Sequence, residues 1–274
     1  MNTSPLISVI TVCYNAENEL ETTIASVINQ TYKNIEYIII DGYSKDNSVD
    51  LIKKHVKKAQ EKNVSLKWIS EPDDGIYSAM NKGISLATGS SILLLNAGDS
   101  LGSNHIQLTI DQYDESLESI VVYSDYQRYF RELNLYEVRA SSLILDTGMT
   151  VCHQSMFIGK KIYEKFGLYS LNFKLASDYE FVLRLKYSNN VDFIKSKRSN
   201  EVYFLMGGAS YTNSIFSKIE AMEINKKYFG FFSGTHLVFL YANLKGLFMQ
   251  ILLNATNKIL GPELMNLIRV KRKI

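Results

Sequence analysis

Acidic and amide side chains follow four apolar segments of this 274-residue chain, each at the point where a predicted strand ends. They are Tyr14–Asn15, Asp41–Gly42, Glu71–Asp74 and Asn96–Asp99. The carboxyl ends of parallel strands share one edge of a sheet, and ligands bind there, so we expect these groups to lie together. Oxygen ligands of this kind suit hard divalent cations, whereas an acidic edge would repel a bare phosphate ester. The pattern therefore predicts that Mn²⁺ or Mg²⁺ joins the protein to a phosphorylated ligand.

Two of these segments also have a purely structural interpretation. Asp41-Gly42-Tyr43-Ser44 is typical of a turn with a helix cap, and Asn96–Asp99 could be an ordinary turn at a strand end. In the functional interpretation Asp41 accepts a hydrogen bond from a base or a ribose, and Asp99 binds the cation. Asn96–Asp99 is the sharper signal because it follows an entirely apolar strand.

Further candidates lie in the second half of the chain. Asp178 precedes a predicted helix at Tyr179–Tyr187, where it is either the N-cap or a group directed into a cleft. His153 and Gln154 follow a stretch that could be a short strand. A lone histidine is more often structural than a ligand, so we assign no metal role to His153 on this ground.

The surrounding pattern predicts an open α/β sheet. We expect strands at Leu6–Cys13, Ile35–Asp41, Leu66–Ser70, Ser91–Asn96 and Ser119–Asp125. Helices are expected at Glu19–Asn29, with Asn15 or Asn18 as its cap, and at Asn47–Lys62 and Ile76–Ala87. Such alternation is typical of a mostly parallel sheet flanked by helices. We expect a catalytic domain over residues 1–230 and a helical extension over residues 231–274.

The composition excludes some classes of function. The chain has 30 basic and 28 acidic side chains, a formal net charge of +2, which lacks the basic excess expected of a nucleic-acid-binding protein. Cys13 and Cys152 cannot form a disulfide framework, so we expect both to be reduced and buried. The first residues do not resemble a signal peptide. We therefore expect a cytoplasmic protein that binds no nucleic acid.

The C-terminal segment predicts an amphipathic helix followed by a basic cluster. Apolar residues recur at helical spacing from His236 to Ile259, and polar residues interrupt them too often for a transmembrane span. Arg269–Lys273 contains the basic cluster. The helix either packs on the catalytic domain or on a second subunit of a homo-oligomer, or lies peripherally on the inner face of the cytoplasmic membrane.

Five motifs resemble the family 2 inverting glycosyltransferases of the GT-A fold, especially bacterial enzymes of surface-polysaccharide assembly. They are SVITVCYNAENEL (8–20), YIIIDGYSKDNS (37–48), SEPDDGIYSAMNKGISLATG (70–89), LLLNAGD (93–99) and CHQSMFIGKKIYEKFGLYSLNFKLASDYEFVLRL (152–185). The resemblance extends over about two thirds of the chain, in the order and spacing of the family.

The resemblance implies a role for each matched residue. Asp178 matches the catalytic base, and Asn96–Asp99 occupies the Asp-x-Asp metal motif with Asp99 as metal ligand. The residues expected to bind the donor are Tyr14, Asn15, Asp41, Asp73, Asp74, Asn81, Lys82, Asn96, His153 and Gln154. Among these, Asp41 matches a uridine-contacting aspartate, and His153–Gln154 matches a pair near the donor phosphate and the acceptor.

Three positions depart from the family pattern. Asn96 stands where many relatives have aspartate, which removes one negative ligand from the metal site. Tyr43 stands where glycine is usual, and Ser78 where this branch often has aspartate. These changes affect the metal site, the nucleotide pocket and a position without an assigned role.

We therefore expect a metal-dependent inverting glycosyltransferase that moves a sugar from a nucleotide-sugar, by resemblance a UDP-sugar, to a saccharide acceptor. The resemblance implies a lipid-linked acceptor in the synthesis of O-antigen, capsule or exopolysaccharide. A nucleotidyltransferase is disfavoured because the loop Tyr14–Glu17 is acidic and has no glycine. A nucleotide-sugar binding module or inactive paralogue remains an alternative because of Asn96.

Overall fold

The computed structural model describes residues 4–113, 117–197, 201–207, 214–231, 236–241, 243–246 and 248. The strands are β1 (Ile7–Cys13), β2 (Ile35–Asp41), β3 (Ser65–Ser70), β4 (Ser91–Leu94), β5 (Ser100–Leu101), β6 (Ile120–Tyr123), β7 (Tyr126–Phe130), β8 (Leu135–Arg139), β9 (Met156–Gly159), β10 (Asp192–Lys195) and β11 (Val202–Leu205). The helices are α1 (Leu20–Ile28), α2 (Ser48–Glu61), α3 (Ile76–Leu86), α4 (His105–Ile110), α5 (Lys160–Phe166), α6 (Ser177–Tyr187) and α7 (Ser214–Phe229).

A seven-stranded sheet in the order β10-β6-β9-β4-β1-β2-β3 forms the centre of the fold. Its strands pair in parallel except β9, which is antiparallel to both β4 and β6. The predicted α/β sheet and its first four strands are confirmed, with boundaries shifted by one or two residues. The fourth strand ends at Leu94 rather than Asn96.

Helices cover both faces of this sheet, because its inner strands are apolar on both faces. β1 and β2 are buried at every position. Ile10 and Ile38 pack into one apolar cluster with residues of α3, whereas Val9 and Ile39 pack into a second cluster with residues of α1. Alternate side chains of each strand thus supply two cores, as expected for a buried parallel sheet.

A second, four-stranded sheet in the order β5-β11-β7-β8 was not predicted. β11 pairs in parallel with β7 and antiparallel with the two-residue strand β5. β5 follows directly after Asn96–Asp99, so the second sheet adjoins the site at that turn.

Two predicted caps were wrong. α1 begins after Glu19, and Asn15 instead has left-handed backbone (φ 48°) with its side-chain oxygen accepting the Lys45 N–H at 2.8 Å. α6 begins at Ser177 after Ala176, so Asp178 lies inside the first turn and is not the N-cap.

Both cysteines, Cys13 and Cys152, are free and buried, as predicted. The described residues from 236 to 248 are helical, which confirms the start of the predicted C-terminal helix. Its remainder and the basic cluster Arg269–Lys273 lie outside the described residues, and the boundary at residue 230 stays a prediction. Among the described helices, none is long and apolar enough to span a membrane.

Candidate functional site

The antiparallel strand β9 explains how His153 and Gln154 reach the sheet edge near Asn96. Leu93 of β4 pairs with Phe157 of β9, so the residues that precede β9 meet those that follow β4. His153 and Gln154 form a short 3-10 turn before β9. They therefore precede a strand rather than follow one, which corrects the sequence interpretation.

A continuous set of polar contacts runs from Asn96 through His153 to Asp178. The Asn96 amide nitrogen lies 3.3 Å from His153 Nε2, and His153 Nδ1 lies 3.3 Å from Asp178 Oδ2. When the Asn96 amide donates to Nε2, the ring proton resides on Nδ1 and is donated to Asp178. The Tyr77 hydroxyl donates to the other oxygen, Oδ1, at 2.8 Å. Residues from α3, the turn before β9 and α6 thus meet at one carboxylate.

These contacts keep Asp178 ionised. Burial by itself would raise the pKa of this carboxyl, but the hydrogen bond and charge of His153 and the hydrogen bond from Tyr77 outweigh it. The pKa of Asp178 consequently lies below its ordinary value. Its side chain is still 20% exposed, so it can accept a proton from a ligand in the cleft.

Asp99 lies beside this set of contacts but is far more enclosed. It is 3% exposed, and burial raises its pKa to about 7 despite hydrogen bonds from the Leu205 N–H and the Gln154 amide and the charge of His153. Those bonds measure 2.9 Å to Oδ1 and 2.7 Å to Oδ2. Gln154 is itself 1% exposed and accepts from Cys152 Sγ at 2.8 Å. Gln154 therefore holds the Asp99 carboxylate in place through its hydrogen bond to Oδ2.

The residues around Asn96 fit a divalent cation only in part. Asn96 Oδ1 is buried and lacks a hydrogen-bond partner in the described structure, so it can serve as an oxygen ligand. Asp99 could ligate only by giving up one of its two hydrogen bonds. Among the described residues, no three His, Cys, Asp or Glu side chains form a metal-binding group. The site therefore fits a cation whose other ligands are phosphate oxygens and water, as is common for Mg²⁺.

Asp41 occupies the end of β2 but is turned into the protein. It is fully buried, and its Oδ2 accepts from the Ser44 N–H at 3.0 Å and the Ser70 hydroxyl at 2.6 Å. Its Oδ1 accepts from the Ser44 hydroxyl and lies 3.6 Å from Cys13 Sγ. Asp41 thus shapes the loop that follows β2, in agreement with the structural interpretation of this turn.

The better candidate for contact with a nucleoside is the space beside Gly42. A Cβ atom at Gly42 would lie 3.3 Å from Asp73 Oδ2 and 3.4 Å from Tyr14 Cδ2, so both side chains face the glycine. Asp73 Oδ2 is buried without a hydrogen-bond partner in the described structure, and Tyr14 is 64% exposed. Lys82 fixes the carboxylate by donating to Oδ1 at 2.8 Å. An unpaired acceptor next to an exposed ring suits a base or ribose.

The other residues expected to bind the donor make the following contacts in the structure. The Asn81 side chain makes two hydrogen bonds to the backbone of Tyr169, 2.8 Å to the carbonyl and 3.0 Å from the N–H. Asn15 holds the loop that contains Ser44 and Lys45. Asp74 is exposed at the entrance of a groove before α3.

The two groups of residues lie at the same edge of the sheet, on either side of β1. The chain after β4 still pairs with β1, through Leu95 N–H to Ile10 and Ala97 N–H to Val12, and the Gly42 N–H donates to the carbonyl of Cys13. Asn96 and Gly42 consequently flank the carboxyl end of β1. The edge thus presents the unpaired Asp73 Oδ2 beside Gly42 on one side and the carboxylate of Asp178 on the other.

Comparison with known proteins identifies the family of this chain. Residues 8–169 match the glycosyl transferase family 2 domain. The chain belongs to glycosyltransferase family 2. An uncharacterized glycosyltransferase of Mycobacterium tuberculosis is 34% identical over 192 residues, which cover 67% of this chain and 70% of that protein. The chain is therefore a glycosyltransferase by family.

Solved structures confirm the GT-A fold. TarS of S. aureus, in complex with UDP-GlcNAc, superposes with a TM-score of 0.62 at 17% identity, over 81% of this chain and 66% of that chain. A mannosyltransferase of Pyrobaculum calidifontis, in complex with GDP-Man and Mn²⁺, gives 0.59 at 12% identity, over 81% and 64%. At these identities the likeness concerns the fold.

Sequence reasoning missed Tyr77, which contacts Asp178 across 101 residues of chain. Tyr77 is 6% exposed and packs against Tyr169, with ring centroids 5.6 Å apart. Nothing in its local sequence separates it from an ordinary core tyrosine. Only the tertiary contact shows its role.

Proposed function

We propose that the protein is an inverting glycosyltransferase that transfers a sugar from a UDP-sugar to a saccharide hydroxyl, with Asp178 as the base. The observation that carries the proposal is an ionised, partly exposed carboxylate between Tyr77 and His153, next to the unpaired acceptor Asn96 Oδ1. A base for an acceptor hydroxyl must remain deprotonated at neutral pH and be reachable. Asp178 meets both requirements.

The reaction is a single displacement at the anomeric carbon. The acceptor oxygen forms a bond to that carbon while the bond to the diphosphate oxygen breaks, and the electron pair leaves with the nucleoside diphosphate. The acceptor proton passes to Asp178, whose position is fixed by Tyr77 and His153. One inversion at the anomeric carbon follows, since attack and departure occur on opposite faces.

A divalent cation held by Asn96 Oδ1, and by Asp99 after release of one hydrogen bond, would neutralise charge on the leaving diphosphate. The mannosyltransferase with Mn²⁺ bound has the same fold, which supports this part of the proposal. Asn96 supplies no negative charge, so we expect weaker affinity for the cation than at a site with two carboxylates.

The nucleoside would lie against Tyr14 and Gly42, with its base or ribose donating to Asp73 Oδ2. UDP-GlcNAc in the TarS complex supports a uridine donor, whereas GDP-Man in the mannosyltransferase complex makes a guanosine donor the competing outcome. Calorimetry with UDP, GDP and dTDP separates these possibilities. A loss of UDP binding in Asp73→Asn would support the placement of the nucleoside.

The decisive variant for the reaction is Asp178→Asn. Asparagine keeps the shape and can still accept from Tyr77, but it cannot take the proton, so transfer should fall by about 10²–10⁴-fold. Nucleotide binding should stay as in the unaltered protein. Transfer at the original rate would refute the role of Asp178 as the base, and lost nucleotide binding would make it a donor-site residue instead.

A nucleotide-sugar binding module or inactive paralogue is the second candidate, favoured by Asn96 and by the enclosed state of Asp99. Slow hydrolysis of the donor in the absence of acceptor separates the two. A competent site releases some sugar to water, whereas a pure binder releases none.

The acceptor is proposed to be lipid-linked, in the synthesis of a cell-surface polysaccharide, and the C-terminal helix to hold the protein on the cytoplasmic face of the membrane. Apolar side chains at helical spacing, Leu237, Tyr241, Leu244 and Phe248, are exposed on the described part of this helix. A protein truncated after Phe231 should lose co-sedimentation with anionic vesicles. If the truncated protein still co-sediments with vesicles but no longer forms a dimer, the helix belongs to the interface of a homo-oligomer.

A further inference from the structure

Tyr43 has a backbone conformation that tyrosine rarely adopts. Its φ angle is 66°, in the left-handed region, where glycine is accommodated without strain and a bulky residue is an outlier. A residue in such a conformation costs the fold free energy, so it persists only where the surrounding structure fixes it. Strained residues of this kind cluster at ligand sites, which makes the side chain of Tyr43 a candidate for a functional contact.

The loop that contains Tyr43 is fixed from both sides. The Ser44 N–H donates to Asp41 Oδ2 at 3.0 Å, and the Ser44 hydroxyl accepts the N–H of Asn15 at 2.8 Å. The Lys45 N–H donates to Asn15 Oδ1 at 2.8 Å. These three bonds do not involve the side chain of Tyr43. Glycine at position 43 would keep them and remove the strain, so the loop itself gives no reason for a tyrosine there.

Tyr43 lies next to the space proposed for the nucleoside. Cys13 of β1 pairs with Asp41 of β2, so Tyr14 and Gly42 follow on neighbouring strands, and Tyr43 comes directly after Gly42. Between residues 4 and 113, the exposed aromatic side chains are Tyr14 and Tyr43, at 64% and 50%. Two exposed rings in adjacent loops, at the sheet edge where ligands bind, provide faces on which a planar base can stack.

One face of the Tyr43 ring is covered by Lys45. The ammonium nitrogen of this lysine lies 3.3 Å from the ring centroid, which is a cation–π contact. The backbone of Lys45 is held by Asn15, so the contact restricts the ring relative to the rest of the loop. Since the Tyr43 side chain is half exposed, the opposite face of the ring is available to a ligand.

We propose that the free face of Tyr43 stacks on the base of the nucleotide, and that Lys45 is a positioning residue that holds the ring. The inference rests on the proposed function, because it needs a nucleoside diphosphate beside Gly42. Tyr43 adds to the contacts of Tyr14 and Asp73 a second ring, which a glycine at position 43 would not supply. Because every base has a π face, this contact contributes affinity for whichever base Asp73 selects.

The test is calorimetry with two ligands. One is the nucleoside diphosphate that binds most tightly among UDP, GDP and dTDP, and the other is ribose 5-diphosphate, which has no base. Tyr43→Asn removes the ring but tolerates the left-handed backbone, so it should raise the Kd of the nucleotide by about 5- to 150-fold. The Kd of ribose 5-diphosphate should not change. Tyr43→Phe keeps the ring and should bind both ligands like the unaltered protein.

Three further variants separate a base contact from a structural role. Tyr43→Gly removes both ring and strain, so it should bind the nucleotide more weakly yet unfold, without nucleotide, at the same or a higher temperature. Lys45→Met removes the charge but keeps a long side chain, and should raise the Kd of the nucleotide by about 2- to 5-fold while leaving that of ribose 5-diphosphate unchanged. Tyr241→Asn replaces a tyrosine that is 70% exposed outside the site and should leave binding intact.

The results distinguish this inference from the proposed function. Unchanged nucleotide binding in Tyr43→Asn, or an equal loss for the nucleotide and for ribose 5-diphosphate, would overturn the assignment of Tyr43 to the base. A lower unfolding temperature of Tyr43→Gly would also overturn it, because the ring would then serve the fold. Weaker binding of ribose 5-diphosphate to Lys45→Met would overturn the positioning role of Lys45. A protein that binds none of the three nucleoside diphosphates would overturn the proposed function instead.

Discussion

Removal of the Tyr77 hydroxyl tests whether its hydrogen bond keeps Asp178, the proposed base, ionised. Tyr77→Phe removes the hydrogen bond of 2.8 Å to Asp178 Oδ1 but keeps the ring that packs against Tyr169. A hydrogen bond to a charged group is worth about 1.5–3 kcal/mol. Because this bond favours the ionised carboxylate, its loss moves the pKa of Asp178 upward from its depressed position.

The expected result is a pH-dependent loss of activity. At pH values below the acidic limb of the rate profile, Tyr77→Phe should be about 10- to 150-fold slower than the unaltered protein. On the plateau above that limb the loss should be smaller, because the carboxylate is ionised in both proteins and a stronger base partly compensates for poorer positioning. The limb itself should move to higher pH. Release of the nucleoside diphosphate, followed from acidic to alkaline pH, measures the loss below the limb, the loss on the plateau and the shift of the limb.

Stability provides an independent readout with a defined sign. A carboxyl whose pKa is depressed in the folded state stabilises the fold above its unfolded pKa, and this stabilisation disappears as the pH falls through the folded value. The destabilisation by Tyr77→Phe should therefore be larger at neutral pH than in acid. Tyr163 belongs to the same aromatic cluster, with its ring centroid 6.3 Å from that of Tyr169, and Tyr163→Phe should leave the acidic limb unmoved. An unmoved limb in Tyr77→Phe itself would refute the reasoning.

Three further outcomes follow from the same structure. Removal of divalent cations with EDTA should stop transfer and added Mn²⁺ or Mg²⁺ should restore it; full activity in EDTA would show a metal-independent site. Glu220→Ala should destabilise the protein by about 1–3 kcal/mol in urea denaturation, because three N–H groups at 174–176 lose their acceptor, and Glu220→Gln should lose less; equal losses would contradict this. Gly42→Ala should weaken nucleotide binding in calorimetry, since its methyl group would lie 3.3 Å from Asp73 Oδ2 and crowd the space between Asp73 and Tyr14; unweakened binding would move the nucleoside elsewhere.

The fold was largely predictable because its central strands are buried on both faces. Residues such as Ile38 and Ile39 are apolar in succession, which is typical of a strand covered on both faces, and the helices between the strands carry regular apolar spacing. β9 and the second sheet were not predicted from the sequence. A run of four residues, Met156–Gly159, is too short to carry a period, and its antiparallel direction is set by pairing with two distant strands.

The site was predictable in composition but not in orientation. The resemblance assigns Asp41, Gln154 and Asn81 to donor binding, and in the structure their side chains form hydrogen bonds within the protein. The direction of a side chain in a turn depends on which backbone N–H groups lie nearby, and those come from remote segments. Leu205 shows this most clearly, since its N–H reaches Asp99 from a strand that was not predicted.

Asn96 and the pair of His153 and Asp178 are best understood together. An amide at position 96 can donate to His153 Nε2, which leaves His153 Nδ1 to donate to Asp178 Oδ2. A carboxylate at position 96 could only accept, so its contact with His153 would need a proton on Nε2. A carboxylate at position 96 would also be a better cation ligand than an amide, because it adds a negative charge. In this chain the asparagine therefore leaves His153 Nδ1 facing Asp178, at the expense of negative charge where the cation is proposed to bind.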